Sequence, residues 1–96
     1  MPSREADGLA REAIATHGFA DAFGHSLGHG LGLEVHEAPR VSPVVETPLP
    51  AHAVVTVEPG IYLPGWGGVR LEDDVYLDPD GVKCLSRGPG DLQVLT

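Results

Sequence analysis

Cysteine is almost missing from this chain: Cys84 is the single one in 96 residues. No intrachain disulfide can form, which excludes the stapled scaffolds of small secreted domains and points to a reducing, cytoplasmic setting. Basic residues are also scarce, six Lys and Arg against 14 Asp and Glu, for a formal net charge of -8. Nucleic-acid binders need clustered cations to displace counterions from phosphates, so DNA and RNA are not expected partners. No apolar run approaches the roughly 18 residues of a membrane span. The opening Met1-Pro2-Ser3-Arg4-Glu5-Ala6-Asp7 lacks the basic-then-apolar order of a signal peptide. A membrane is therefore not expected as a partner either. Internal repeats and low-complexity tracts are absent.

What is present is glycine, 13 residues, and proline, nine, beside an ordinary 42% of hydrophobic residues. This composition describes a folded domain punctuated by turns. The length allows one domain, which buries only about 60–65% of its unfolded surface and has a thin core.

The pattern predicts a helix over residues 4–17, with Ser3 as N-cap, Glu5 near the positive end of the dipole, and Ala6, Leu9, Ala10, Ala13 and Ile14 at helical spacing. Gly18 supplies the stop, and His17 ends the helix. Residues 19–37 are dense in Gly and His, and the alternation of Leu31, Leu33 and Val35 suggests a short strand. Four prolines make residues 38–51 an extended connection without regular structure. Strands are expected over residues 54–57, 68–77 and 82–85, with a hairpin turn at Asp78-Pro79-Asp80-Gly81 and Cys84 as a small core residue. Helix first and antiparallel strands afterwards give an α+β class.

Three of the five histidines, His25, His29 and His36, fall within residues 25–36 among glycines. Imidazole is the commonest neutral metal ligand, and glycine lets backbone approach an ion closely. A solvated Gly-rich loop explains the same spacing equally well. His17 and His52 are read as structural. Glu58 ends the apolar run Val54-Val55-Thr56-Val57, where burial is costly unless a cation or several donors neutralise it. Alternation puts Arg70, Glu72 and Asp74 on one strand face, either as part of a site or as an ordinary exposed face with a weak ion pair. One His and two Glu, all N and O donors, suit Mn, Co, Zn or Fe.

Three segments then carry a resemblance: His25-Ser26-Leu27-Gly28-His29-Gly30-Leu31-Gly32-Leu33-Glu34-Val35-His36-Glu37-Ala38-Pro39, Val57-Glu58-Pro59-Gly60-Ile61-Tyr62, and Gly68-Val69-Arg70-Leu71-Glu72-Asp73-Asp74-Val75. In this order they resemble the C-terminal half of the pita-bread (creatinase/aminopeptidase) fold, the metallopeptidases that include Xaa-Pro dipeptidases, aminopeptidase P and methionine aminopeptidases. The likeness runs from about Arg4 to Leu85, so residues 1–96 are expected to form an incomplete, C-terminal portion of a catalytic domain. The third segment favours the proline-specific branch. Creatinase-like relatives share the fold without the metal site, so joint retention of His29, Glu58 and Glu72 argues for a peptidase.

The resemblance implies that His29, Glu58 and Glu72 are ligands of a two-ion centre, with manganese favoured and cobalt or zinc as alternatives. It implies that His25 and His36 contact a proline-containing peptide or stabilise the reaction's intermediate, that Arg70 orients substrate, and that Glu58 shuttles a proton while metal-activated water attacks the Xaa-Pro bond. Ligand histidines must be neutral for this, so acid should abolish it. Two further ligands, an aspartate pair upstream of the first helix, and an upstream histidine have no match; Asp7 and Asp21 lie in an unsuitable context. A competing expectation is a non-catalytic half-domain that serves as an assembly or binding module, with homo-oligomerisation covering exposed strand edges and an apolar face.

Overall fold

The computed structural model describes residues 1–88 and residue 95. Among these residues, helix α1 (Ser3–Thr16) is followed by a 3-10 turn (Ala20–Ala22) and seven strands: β1 (Gly28–Gly30), β2 (Glu37–Val41), β3 (Val54–Val57), β4 (Gly60–Leu63), β5 (Gly67–Arg70), β6 (Asp73–Asp78) and β7 (Gly81–Cys84). Five strands form an antiparallel sheet in the order β2-β1-β3-β6-β7, and β4 and β5 form a separate hairpin. The expected α+β class, helix first and antiparallel strands afterwards, is what the chain adopts. Among the described residues no helix is long and apolar enough to cross a membrane.

The core is small, as the length requires: Phe23, Leu27, Val41, Val55 and Val75 are its buried apolar residues. Ala6, Ala10 and Ile14 of α1 pack against them, with Val57 and Leu77. Each buried Val, Leu or Phe is worth about 1.5–3 kcal/mol, so few residues carry this fold. Of the apolar set read from the sequence, Ala6, Ala10 and Ile14 face the core beside the fully buried Ser3 and Asp7, whereas Leu9 and Ala13 are exposed. Polar anchoring decides the rotation. Ser3 is not the N-cap but the first helical residue after Pro2; its hydroxyl donates to the Arg40 carbonyl and accepts the Ser42 amide. The helix needs no side-chain cap, because the Thr47 and Val45 carbonyls accept the Ser3 and Arg4 amides at 3.0 and 2.7 Å.

Four other expectations are corrected. Residues 32–36 form bends, not a strand, and Leu31, Leu33 and Val35 are exposed; only the Leu31 amide still reaches β3, at the Val54 carbonyl 3.1 Å away. The proline-rich connection does contain a strand: β2 pairs with β1, and the register slips between His29 and Gly30, so that Ala38 and Pro39 bulge where the proline would lack a donor. The expected strand over residues 68–77 is two strands in different sheets, broken at Leu71-Glu72, where the Leu71 amide turns to the Pro59 carbonyl at 3.1 Å. Cys84 is exposed rather than in the core, because β7 is an edge strand with every residue exposed. The hairpin at residues 78–81 forms as read, with Asp78 opposite Gly81, Gly81 at φ 147°, and the Asp80 amide on Asp78 Oδ1 at 2.9 Å.

β1 is closely enclosed between β2 and β3. A Cβ on Gly28 would lie 1.7 Å from the Thr56 carbonyl oxygen, and one on Gly30 would lie 2.2 Å from the Ala38 carbonyl oxygen. Only glycine on both sides of His29 lets this strand sit so closely between β2 and β3. Gly28→Ala is therefore expected to lower stability by about 1–3 kcal/mol in urea unfolding. Gly8→Ala, in open space on α1, should instead gain about 0.5–1 kcal/mol.

Candidate functional site

β1 and the end of β3 bring His29 and Glu58 together. The Glu58 amide donates to the Leu27 carbonyl at 2.7 Å, which extends the pairing one step beyond β3 and fixes where the carboxylate starts. Glu58 is 13% exposed and His29 16%. His29 Nδ1–H donates to the Gly30 carbonyl at 2.9 Å, because a carbonyl can only accept. The neutral ring then carries its lone pair on Nε2, which lies 3.1 Å from Glu58 Oε2. Two acceptors facing each other require a positive charge between them, a proton or a metal cation.

Thr56 completes this unit. Its hydroxyl donates to Glu58 Oε2 at 2.7 Å and accepts the His29 amide at 3.1 Å. One buried oxygen thus ties the backbone of β1 to the carboxylate beyond β3.

Arg70 reaches the same carboxylate from the hairpin. Gly60 pairs with Arg70, so the open end of β4 and β5 lies two residues past Glu58. Arg70 Nε is 3.8 Å from Glu58 Oε1 and 3.5 Å from Glu72 Oε2. Arg70 and Glu72 are 51% and 42% exposed, so their pair adds at most about 1 kcal/mol. Although the strand is broken between them, the two side chains still meet, and the guanidinium stands between the two glutamates.

His25, His29, His36, Glu58 and Arg70 all line one cleft of about 590 Å³, and Glu72 does not. The His36 ring is exposed and meets the His29 ring edge-on at 4.6 Å. His25 donates from Nδ1 to the Ser26 carbonyl at 2.7 Å, and its Nε2 accepts the Tyr62 hydroxyl at 2.8 Å. Among the described residues no three His, Cys, Asp or Glu side chains converge as a metal-binding group. His29 and Glu58 are paired, and Glu72 is joined to them only through Arg70. The donor chemistry of the pair nevertheless fits a divalent ion, an imidazole nitrogen and a carboxylate oxygen 3.1 Å apart; Arg70 is the cation now beside that carboxylate, and it would have to yield to a bound ion.

Sequence reading missed Thr56, Tyr62 and the pair Asp7 and Arg11. A hydroxyl within the otherwise all-valine run of β3 and an Asp–Arg spacing of four on a helix were the available signals. Asp7, set aside as a ligand, is fully buried, and its carboxylate is engaged by Arg11 and the Leu27 amide. Asp21 is exposed in the 3-10 turn. His17 bonds the Ala13 carbonyl at 3.0 Å, and His52 bonds the Tyr76 hydroxyl at 2.6 Å, both away from the cleft.

Residues 1–79 match the model of metallopeptidase family M24. The chain is 50% identical over 95 residues to an uncharacterised peptidase, YqhT, of Bacillus subtilis, covering 99% of this chain and 27% of that protein. It is 50% identical over 92 residues to a Xaa-Pro dipeptidase of Pyrococcus furiosus, covering 96% of this chain and 26% of that one. In three dimensions it resembles a Xaa-Pro dipeptidase from Bacillus anthracis with a TM-score of 0.94 and 47% identity, over 99% of this chain and 27% of that one. The chain thus spans about a quarter of the length of these relatives, and its α+β architecture is that of a C-terminal part of the pita-bread fold.

Thr56→Val keeps the side-chain shape but leaves the His29 amide without its acceptor. Urea unfolding should show a loss of about 1–3 kcal/mol, whereas Thr56→Ser should retain most of the stability.

Proposed function

The chain belongs to metallopeptidase family M24, and from that premise we propose that its residues serve metal-dependent hydrolysis of Xaa-Pro peptide bonds. The observation that carries the proposal is the approach of His29 Nε2 to Glu58 Oε2 at 3.1 Å in the wall of the cleft. His29, Glu58 and Glu72 are assigned as ligands of a divalent ion, manganese first and cobalt or zinc next. The assignment is confined to these three donors, since the aspartate pair implied by the resemblance has no counterpart in the sequence.

A bound ion supplies Lewis-acid polarisation of the scissile carbonyl and acidifies water. The protein groups do the rest. The Gly30 carbonyl fixes the His29 tautomer, so that Nε2 is the ligating nitrogen. Thr56 occupies one side of Glu58 Oε2, which holds the carboxylate in place as it accepts and passes on a proton. His25, at the same cleft and fixed at both nitrogens, and His36, free at the surface, face an incoming peptide. Arg70 places positive charge beside Glu58 and is suited to orient a substrate carboxylate. The substrate is a proline-containing peptide. The single, exposed Cys84 fits a reducing, cytoplasmic compartment.

A second reading has its own observation. An apolar groove of about 500 Å³ lies open, its accessible lining being the exposed Met1 and Val82 and the half-buried Leu49, Val57 and Leu77, with core residues at its floor. That surface favours a non-catalytic module completed by association, and light scattering on the purified chain distinguishes a dimer from a stable monomer.

Calorimetric titration with Mn²⁺ tests the first reading. His29→Ala and Glu58→Ala should each weaken binding at least tenfold, about 1.4 kcal/mol or more. Hydrolysis of a Xaa-Pro dipeptide and a Xaa-Pro-containing tripeptide in Mn²⁺ is the companion assay, with activity lost in Glu58→Gln. Affinity unchanged in both alanine variants sinks the metal assignment.

A further inference from the structure

We propose that Asp7 and Arg11 of α1 are positioning residues for His25: they fix the imidazole at the cleft without touching the cleft themselves. The inference rests on the reading of His25 as a substrate-facing group, but its test is read on the protein free of metal and peptide.

The contacts run in one direction, from the helix to the ring. Arg11 Nε donates to Asp7 Oδ1 at 2.9 Å and Arg11 Nη2 donates to Asp7 Oδ2 at 3.2 Å, a two-pronged pair one helical turn apart. Asp7 is fully buried, and a carboxylate in that position is strongly disfavoured without a cation and hydrogen bonds. Asp7 Oδ2 also accepts the Leu27 amide at 2.9 Å. The remaining reach of Arg11 goes to main chain: Nη1 donates to the Phe23 carbonyl and Nη2 to the His25 carbonyl, each at 2.9 Å. Residues 23, 25 and 27 are therefore each tied to the same ion pair, and this segment leads directly into β1.

The side chains continue what the backbone begins. The Arg11 guanidinium lies 4.3 Å from the centre of the Phe23 ring, and the Phe23 ring meets His25 edge-on at 5.0 Å. The Ser26 carbonyl and the Tyr62 hydroxyl then hold the two ring nitrogens of His25. An ion pair that served only to anchor a helix would be matched or bettered by apolar packing. Here its donors are spent on the loop that carries a single imidazole. Arginine is required because a planar fork can meet two carboxylate oxygens and two carbonyls at once, which an ammonium cannot.

Nitrogen–proton correlation spectra of the histidine rings test this on the full 96-residue chain, in the unsubstituted protein, Arg11→Lys and Asp7→Asn, with circular dichroism to confirm folding. The unsubstituted protein should show His25 as a single Nδ1–H tautomer. Folded Arg11→Lys should show mixed tautomers at His25 and a displaced Nε2 resonance, while His52, bonded to Tyr76, stays in place. An unchanged His25 in the folded variant overturns the proposal, as does equal movement of His25 and His52. Should both variants unfold, hydrogen exchange in the unsubstituted protein decides: the Leu27 amide should be protected about 100-fold or more, and free exchange there overturns the proposal.

Discussion

The apposition of His29 Nε2 and Glu58 Oε2 is the constraint on which the rest of the site depends. With Nδ1–H donating to the Gly30 carbonyl, a neutral ring has only its Nε2 lone pair to turn toward a carboxylate that offers only lone pairs. In water such a pair would separate. Both groups are largely buried and fixed through backbone, so separation would require moving β1 from β3, and the arrangement instead selects for a cation. A site of this kind is built by geometry that forbids relaxation, and its ligand preference is a consequence of that geometry.

The scaffold around the pair is economical in the same sense. Glycines on either side of His29 let β1 sit against two carbonyl oxygens that any side chain would strike. Thr56 lies on the central strand, with Val55 before it facing the core and Glu58 two residues on facing the cleft, so strand periodicity alone separates packing from chemistry. The hairpin of β4 and β5 starts two residues after Glu58 and returns Arg70 to its side. Three short elements deliver imidazole, carboxylate and guanidinium to one point, and none contributes more than one of them.

How much of this was legible depends on which force sets each element. Residues 54–57 were readable as a strand because an apolar β-branched run has one low-energy outcome in a sheet, and the turn at residues 78–81 because Pro79 and Gly81 restrict the backbone locally. The break at Leu71-Glu72 was not readable, since alternation continues through it and only the Pro59 carbonyl, remote in sequence, diverts the chain. Cys84 was assigned to a core because its strand looked apolar; its place at the sheet edge is a property of strand order, which periodicity does not encode. The motifs pointed to His25, His29, His36, Glu58 and Arg70, and these share one cleft. The position of Glu72 outside it depends on side-chain reach past Arg70, which no spacing rule supplies.

In a chain with so little apolar core, polar anchors outside the cleft decide where its residues stand. Five buried apolar side chains leave the entry of α1 and the loop into β1 to be fixed by polar contacts: Ser3 to Arg40 and Ser42, and Asp7 to Arg11 and Leu27. Polar anchors are directional where apolar contacts are not, so they set register and rotation as well as proximity. That is why the buried stripe of α1 follows Ser3 and Asp7 instead of Leu9, and why the helix sits where Arg11 can reach the carbonyls of residues 23 and 25. A larger core would hold the helix by area and leave it free to rotate by a few degrees. This one holds it by hydrogen bonds, and the orientation so fixed is passed through Phe23 and His25 to the wall of the cleft.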